Sequence, residues 1–155
     1  MLQAIGNTPV VKLRKLAANG AADVLVKLEY YNPTGSYKDR MALSMIERAE
    51  QRGTLKPGMT VVEYTGGSTG IPLAFVCAVK GHRCRIVTND AVALEKRRSM
   101  EIFGAELEVL QSQGGKLTAD LVPRMMERAR EIAASGFKYL AGDLYAKTVQ
   151  TYGSR

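Results

Sequence analysis

Apolar positions along the chain fall into two alternating kinds of segment. Val24-Leu25-Val26-Lys27-Leu28 is a short, β-branched run and reads as a strand. Met41, Ala42, Met45, Ile46 and Ala49 then recur at helical spacing. Thr60-Val61-Val62-Glu63-Tyr64 is a second strand, and Ile71 to Lys80 a helix apolar on every side, which predicts deep burial. Arg85-Ile86-Val87-Thr88 makes a third strand, followed by a helix from about Val92 to Phe103, and Glu106 to Leu110 a fourth strand. Leu117, Leu121, Val122, Met125, Met126, Ala129, Ile132 and Ala133 mark an amphipathic helix, and a short strand from Lys138 to Ala141 closes the pattern. Strand and helix alternate with short connections, which predicts an α/β fold: a parallel sheet with helices on both faces. Gly53, Gly81, Gly104 and Gly136 each fall where a helix is expected to stop. There is no internal repeat, low-complexity tract or long linker, so residues 1–155 are expected to form one α/β unit.

Composition changes this picture little. A chain of 155 residues can bury about 70% of its unfolded surface. Its longest apolar run, Ile71 to Val79, is far short of the roughly 20 residues that span a bilayer. The start, Met1 to Pro9, lacks the basic and apolar regions of a signal peptide, so a cytoplasmic location is expected and a membrane partner is not. The net charge of +7 raises nucleic acid as a partner. Basic residues are spread along the chain, however. The densest cluster, Lys96-Arg97-Arg98, has no interleaved aromatics and sits on a helix whose other face is apolar, so a solvated face is expected there and no nucleic acid. Cys77 and Cys84 lack metal-ligand spacing and are expected to be small core residues rather than a zinc site or a disulfide. His82, after a glycine between helix and strand, is expected to be a solvated turn residue.

In such sheets ligands bind beyond the carboxyl ends of the strands, so chemistry is sought on strand-to-helix turns. Two stand out. In Asn32-Pro33-Thr34-Gly35-Ser36-Tyr37-Lys38-Asp39-Arg40, Pro33 and Gly35 build a turn and Ser36 or Asp39 can cap the next helix. Lys38 is the anomaly, because a cation at a helix N-terminus meets the positive end of the dipole. That placement favours the neutral amine, a nucleophile toward an aldehyde; the alternative is a lysine bent away into water. The second turn is Thr65-Gly66-Gly67-Ser68-Thr69-Gly70. Its glycines let the backbone approach a ligand, and its N–H groups and hydroxyls can cradle an anion. The alternative is a plain tight turn with a hydroxyl cap. The spacing matches neither a P-loop nor the dinucleotide fingerprint.

Taken in order, these segments resemble the cysteine synthase/cystathionine β-synthase family of pyridoxal-phosphate enzymes. Ile5-Gly6-Asn7-Thr8-Pro9-Val10-Val11-Lys12-Leu13 resembles its opening segment, and Asn32 to Arg40 its Asn-Pro-x-x-Ser-x-Lys-Asp-Arg motif. Thr65 to Gly70 is similar to its Thr-Ser-Gly-Asn-Thr-Gly loop, and Arg97-Arg98 through Phe103-Gly104-Ala105-Glu106-Leu107 also resembles the family. The resemblance implies a tryptophan synthase β-subunit-like fold and pyridoxal 5'-phosphate held by Lys38. It implies cofactor contact at Ser68, and a substrate carboxylate held by Thr65, Gly66, Gly67, Ser68 and Thr69. It also implies β-replacement or β-elimination on a small amino acid, as in making cysteine from O-acetylserine or serine plus sulfide, by a homodimer.

The sequence departs from the family in two ways. Gly66 stands where the family has serine and Ser68 where it has asparagine, a shorter side chain that reaches a ligand with a different geometry or through a water. The resemblance also implies a protein about twice this length, with a second half that supplies a glycine-rich phosphate loop and the residue facing the pyridine nitrogen. The chain is therefore expected to be the N-terminal half of such an enzyme, as a fragment, a truncated frame or a natural short form; an inactive remnant or regulatory partner with the same fold is the alternative. Asp143 to Arg155 carries no motif of the family.

Overall fold

The computed structural model describes residues 1–15, 22–136 and 138–141. Segment 142–155, which includes the motif-free tail, lies outside them. Two sheets form. β1 (Val10–Lys12) and β2 (Leu25–Lys27) pair antiparallel as a ribbon, with Val11 opposite Val26. A single turn of 3₁₀ helix, Glu29–Tyr31, leads to α1 (Lys38–Gln51). The main sheet then builds from β3 (Thr60–Tyr64), β4 (Arg83–Asn89), β5 (Glu106–Leu110) and β6 (Lys138–Leu140), all parallel in the order β5-β4-β3-β6. Its helices are α2 (Gly70–Lys80), α3 (Leu94–Ile102) and α4 (Leu121–Ala134).

The first expected strand is thus real but belongs elsewhere: it joins the ribbon and not the parallel sheet. Its physical reason is local. Three residues followed at once by a 3₁₀ turn give no crossover onto the sheet, and Val10–Lys12 is an antiparallel partner close at hand.

Helices cover both faces of the sheet, as the alternation predicts. On one side Ala42, Met45, Ile46 and Ala49 of α1 pack with Leu73 to Cys77 of α2, Met100 of α3, and Val61 and Ile86 of the sheet. On the other, Leu121, Met125, Ala129 and Ile132 of α4 lie over Val62 and Val87. Full burial of each larger apolar side chain contributes about 1.5–3 kcal/mol, so α1 and α4 hold by the single stripe their sequence encodes. α4 starts at Leu121, and Leu117, expected on the same stripe, is 71% exposed ahead of it. α2 is buried from Pro72 to Cys77, and Pro72 in its first turn forfeits an N–H that lacks a helical partner anyway. Gly81 ends α2 in the left-handed conformation at φ 78.

Cys77 and Cys84 are buried free thiols. Cys84 is pushed well up by its Cys77 neighbour and by burial, which keeps it protonated. His82 corrects the sequence reading. Its side chain is 7% exposed, and Nε2 lies 2.9 Å from Glu50 Oε1, because α1 runs past the turn and brings a carboxylate to it. Among the described residues no helix is long and apolar enough to cross a membrane.

Strands β3, β4 and β5 step outward in one direction. The chain then returns through α4 to set β6 on the far side of β3. The order reverses at β3, and a crevice is expected at its carboxyl end.

Candidate functional site

The turn before α1 is held by residues of its own motif. Asp39, fully buried, accepts hydrogen bonds from Thr34 N at 3.0 Å and Thr34 Oγ1 at 2.6 Å. It pins the turn and does not cap the helix; Ser36 Oγ accepts from Lys38 N at 3.3 Å. A second set of bonds ties the turn to the N-terminal segment. Asn32, 3% exposed, accepts from Gly6 N at 2.9 Å and donates to Glu29 O and Oε2. Arg40 reaches back with Nε to Glu29 Oε2 at 2.9 Å, and with Nη2 to Glu29 Oε1 and Thr8 Oγ1. Gly6 is required there: its φ is +91, and a Cβ would sit 2.9 Å from Arg40 Nη1. The Arg40 guanidinium, with Thr8 and Asn32, holds the Glu29 carboxyl at about 2. Most of the motif is therefore scaffold, and it leaves Lys38 as the first residue of α1.

Lys38 opens on a cavity of about 240 Å³ at the carboxyl end of β3. Its other walls are Met41 and Met45 from α1, Glu63 and Tyr64 from β3, Thr65, Gly66 and Thr69 from the following loop, and Val122 and Met125 from α4. Lys38 Nζ lies 3.9 Å from Met41 Sδ and 5.1 Å from the centre of the Tyr37 ring. The loop is braced from within: Thr65 Oγ1 accepts from Gly67 N at 3.1 Å, and Thr65 O accepts from Thr88 Oγ1 at 3.0 Å. Gly70 starts α2 in close contact, since a Cβ there would lie 2.7 Å from Met100 Sδ and 2.9 Å from Thr65 Cγ2.

The two turns singled out from sequence thus meet. Lys38, Thr65, Gly66 and Thr69 share one cavity; Gly67 and Ser68 do not line it. Gly67 is buried on the side of α3, where a Cβ would come within 3.0 Å of Lys96 Cδ, and Ser68 is exposed. Lys96 therefore packs its stem on this loop, one contact of a helix in which only Met100 is buried. Sequence reasoning missed Glu63, Tyr64 and the apolar wall. The available signal was Glu63 itself, a charge inside an otherwise apolar strand.

The sequence profile described as "Pyridoxal-phosphate dependent enzyme" matches residues 1–153. The chain belongs to this family. The match runs through most of the tail in which no motif was read. Cysteine synthase of Staphylococcus aureus (strain Mu50 / ATCC 700699) is 56% identical over 105 residues, covering 68% of this chain and 34% of that protein. The crystal structure of cysteine synthase from Entamoeba histolytica superposes with a TM-score of 0.79 at 35% identity, over 90% of this chain and 41% of that one. A hydrogen sulfide-producing enzyme from Fusobacterium nucleatum gives 0.78 at 33% identity, over 90% and 44%. The chain spans about a third of the curated relative's length.

The lining fits pyridoxal phosphate, the cofactor of this family. Lys38 offers a primary amine for its aldehyde, Thr65 and Thr69 offer hydroxyls for its oxygens and those of a substrate, and the methionines and Val122 offer an apolar flank for its ring.

Proposed function

We propose that this chain carries the lysine and carboxylate loop of a cysteine synthase-like site. The reaction is β-replacement or β-elimination on a serine-derived amino acid; in replacement, O-acetylserine or serine plus sulfide gives cysteine and acetate or water. What supports it is the meeting of Lys38 with Thr65, Gly66 and Thr69 around one cavity, in a chain related to cysteine synthases. Bound pyridoxal phosphate supplies the electron sink for charge at the substrate α-carbon. Lys38 Nζ would hold the cofactor aldehyde, and its amine would serve as the base that takes the proton from the substrate α-carbon and, in replacement, gives it back there. Of the loop Thr65, Gly66, Gly67, Ser68 and Thr69, it is Thr65, Gly66 and Thr69 that hold the substrate carboxylate, while Gly67 fixes the loop by donating its N–H to Thr65 Oγ1. Ser68, exposed and outside the cavity lining, completes the reading as the hydroxyl that reaches cofactor or carboxylate through a water. Met41, Met45 and Met125 exclude bulk water from the reacting atoms.

The reading extends to two copies of the protein acting together in the cytoplasm. Val10, Val11, Leu25 and Val26 leave an apolar ribbon exposed, the kind of surface another protein surface covers. Nucleic acid is not among the proposed partners: Arg40, Arg85 and Arg128 are engaged by Glu29 and Glu108.

The test is Lys38→Ala set beside Lys38→Arg. Both are expected to fold with unchanged far-ultraviolet circular dichroism and to lose covalent cofactor and all conversion of O-acetylserine and sulfide. Cofactor attachment that survives both substitutions refutes the assignment.

A further inference from the structure

Three thioethers line the Lys38 cavity, and they differ in how deeply they are buried. Met45 is 4% exposed and Met125 1%, so both are shut inside the packing of α1 and α4. Met41, one turn before Met45 on α1, is only half-buried. Its Sδ lies 3.9 Å from Lys38 Nζ, because residues three apart on a helix share a face. A thioether within reach of solvent thus stands beside the amine of the cavity. In its ordinary form it is apolar and accepts a hydrogen bond weakly. Oxidised to the sulfoxide it becomes a polar group with an oxygen acceptor.

We propose that Met41 is an oxidative modification site: hydrogen peroxide converts it to the sulfoxide, whose oxygen then accepts a hydrogen bond from the Lys38 amine and slows its attack on an aldehyde. In the oxidation a sulfur lone pair attacks one peroxide oxygen, the O–O bond breaks and an S–O bond forms. Sulfur gives up two electrons, and the peroxide's second oxygen leaves as water. A thiol-dependent sulfoxide reductase reverses the change, the oxygen departing as water while two thiols become a disulfide. The S–O bond, turned toward Nζ, spans part of the 3.9 Å gap and leaves the oxygen within ordinary hydrogen-bond reach. Lys38 has other contacts, the Tyr37 ring at 5.1 Å among them. The sulfoxide adds one more that must break before the amine reacts. Peroxide is then a reversible brake on cofactor loading, a consequence that rests on reading Lys38 as the cofactor amine.

The test uses the full chain without cofactor. Hydrogen peroxide is added, sulfoxides are located by peptide mass mapping, and the rate at which trinitrobenzenesulfonate labels Lys38 is measured before and after. Met41 is expected to oxidise at least tenfold faster than Met45 or Met125. The Lys38 rate should fall in step with it by roughly threefold or more, near the low end of what one hydrogen bond contributes. Sulfoxide reductases for both epimers should restore the rate. Met41→Leu keeps every other methionine, and peroxide should not slow its own Lys38 labelling. Met41→Gln, whose amide oxygen is a permanent acceptor, should label slowly with or without peroxide, and it decides the matter if the leucine variant does not fold. Oxidation of Met41 no faster than that of Met45, an unchanged Lys38 rate once Met41 is fully oxidised, or an equal fall in Met41→Leu overturns the proposal. Failure of cofactor attachment at Lys38 is a separate result, because none of these measurements contains pyridoxal phosphate.

Discussion

Gly70→Ala adds one methyl group at the most crowded of the described glycines. The new Cβ would lie 2.7 and 2.8 Å from Met100 Sδ and Cε and 2.9 Å from Thr65 Cγ2. Ordinary carbon contacts are ~3.5–4.0 Å, so each neighbour must retreat by several tenths of an ångström. Met100 is fully buried and cannot swing into solvent, and Thr65 is held by Gly67 N and Thr88 Oγ1. Overpacking of this kind costs about 1–3 kcal/mol. Replacing glycine by alanine in a helix returns at most ~1 kcal/mol, and less at its first residue. The expected loss is about 1–2 kcal/mol, read as a urea midpoint lower by roughly 0.5–1 M at unchanged slope. Gly66→Ala is the control: nothing lies within 4 Å of its Cβ, and stability should stay within about 0.5 kcal/mol. A double-mutant cycle isolates the cause. Met100→Ala alone should cost about 2–5 kcal/mol, but in its background Gly70→Ala should cost at least ~1 kcal/mol less than it does alone. An equal cost in both backgrounds, or no cost at all, refutes the packing argument.

Other consequences are as direct. Glu29, held at about 2 first by its hydrogen bonds from Arg40, contributes stability that is fully present above about 4.5 and is lost as pH falls through 2. Acid titration of the urea midpoint should therefore fall less steeply for Glu29→Gln than for the unchanged chain across that window. Asp39→Ala removes both acceptors of Thr34 and should cost about 1–3 kcal/mol by urea unfolding, with a matching drop in cofactor attachment as the turn before Lys38 loosens. Cys84, pushed up by Cys77 and burial, should react with a thiol reagent only at the rate of unfolding; prompt reaction in the native chain contradicts the buried pair.

Much of this architecture is legible in the chain because single stripes decide it. Leu121, Met125, Ala129 and Ile132 recur at 3.6-residue spacing and are the residues α4 buries. Leu25–Lys27 was legible as a strand but not in its sheet. Periodicity carries no partner information, and the antiparallel choice depends on Val10–Lys12, thirteen residues and more away. Lys38 stood out because its charge opposes the helix dipole, whereas Asp39 and Arg40 beside it turned out to hold the turn by long-range bonds that spacing does not reveal. His82 was misread for the same reason: its partner, Glu50, lies 32 residues earlier. At the cavity, the loop was readable from its glycines, but which side of it faces Lys38 is set by Met100 and Lys96 packing behind Gly70 and Gly67.

The most direct test of the account is borohydride reduction of the purified chain mixed with pyridoxal phosphate, followed by peptide mass mapping. Label on Lys38 alone, abolished by Lys38→Ala, is the predicted result. Label scattered over several lysines, or none above background, contradicts the claim that this cavity anchors the cofactor.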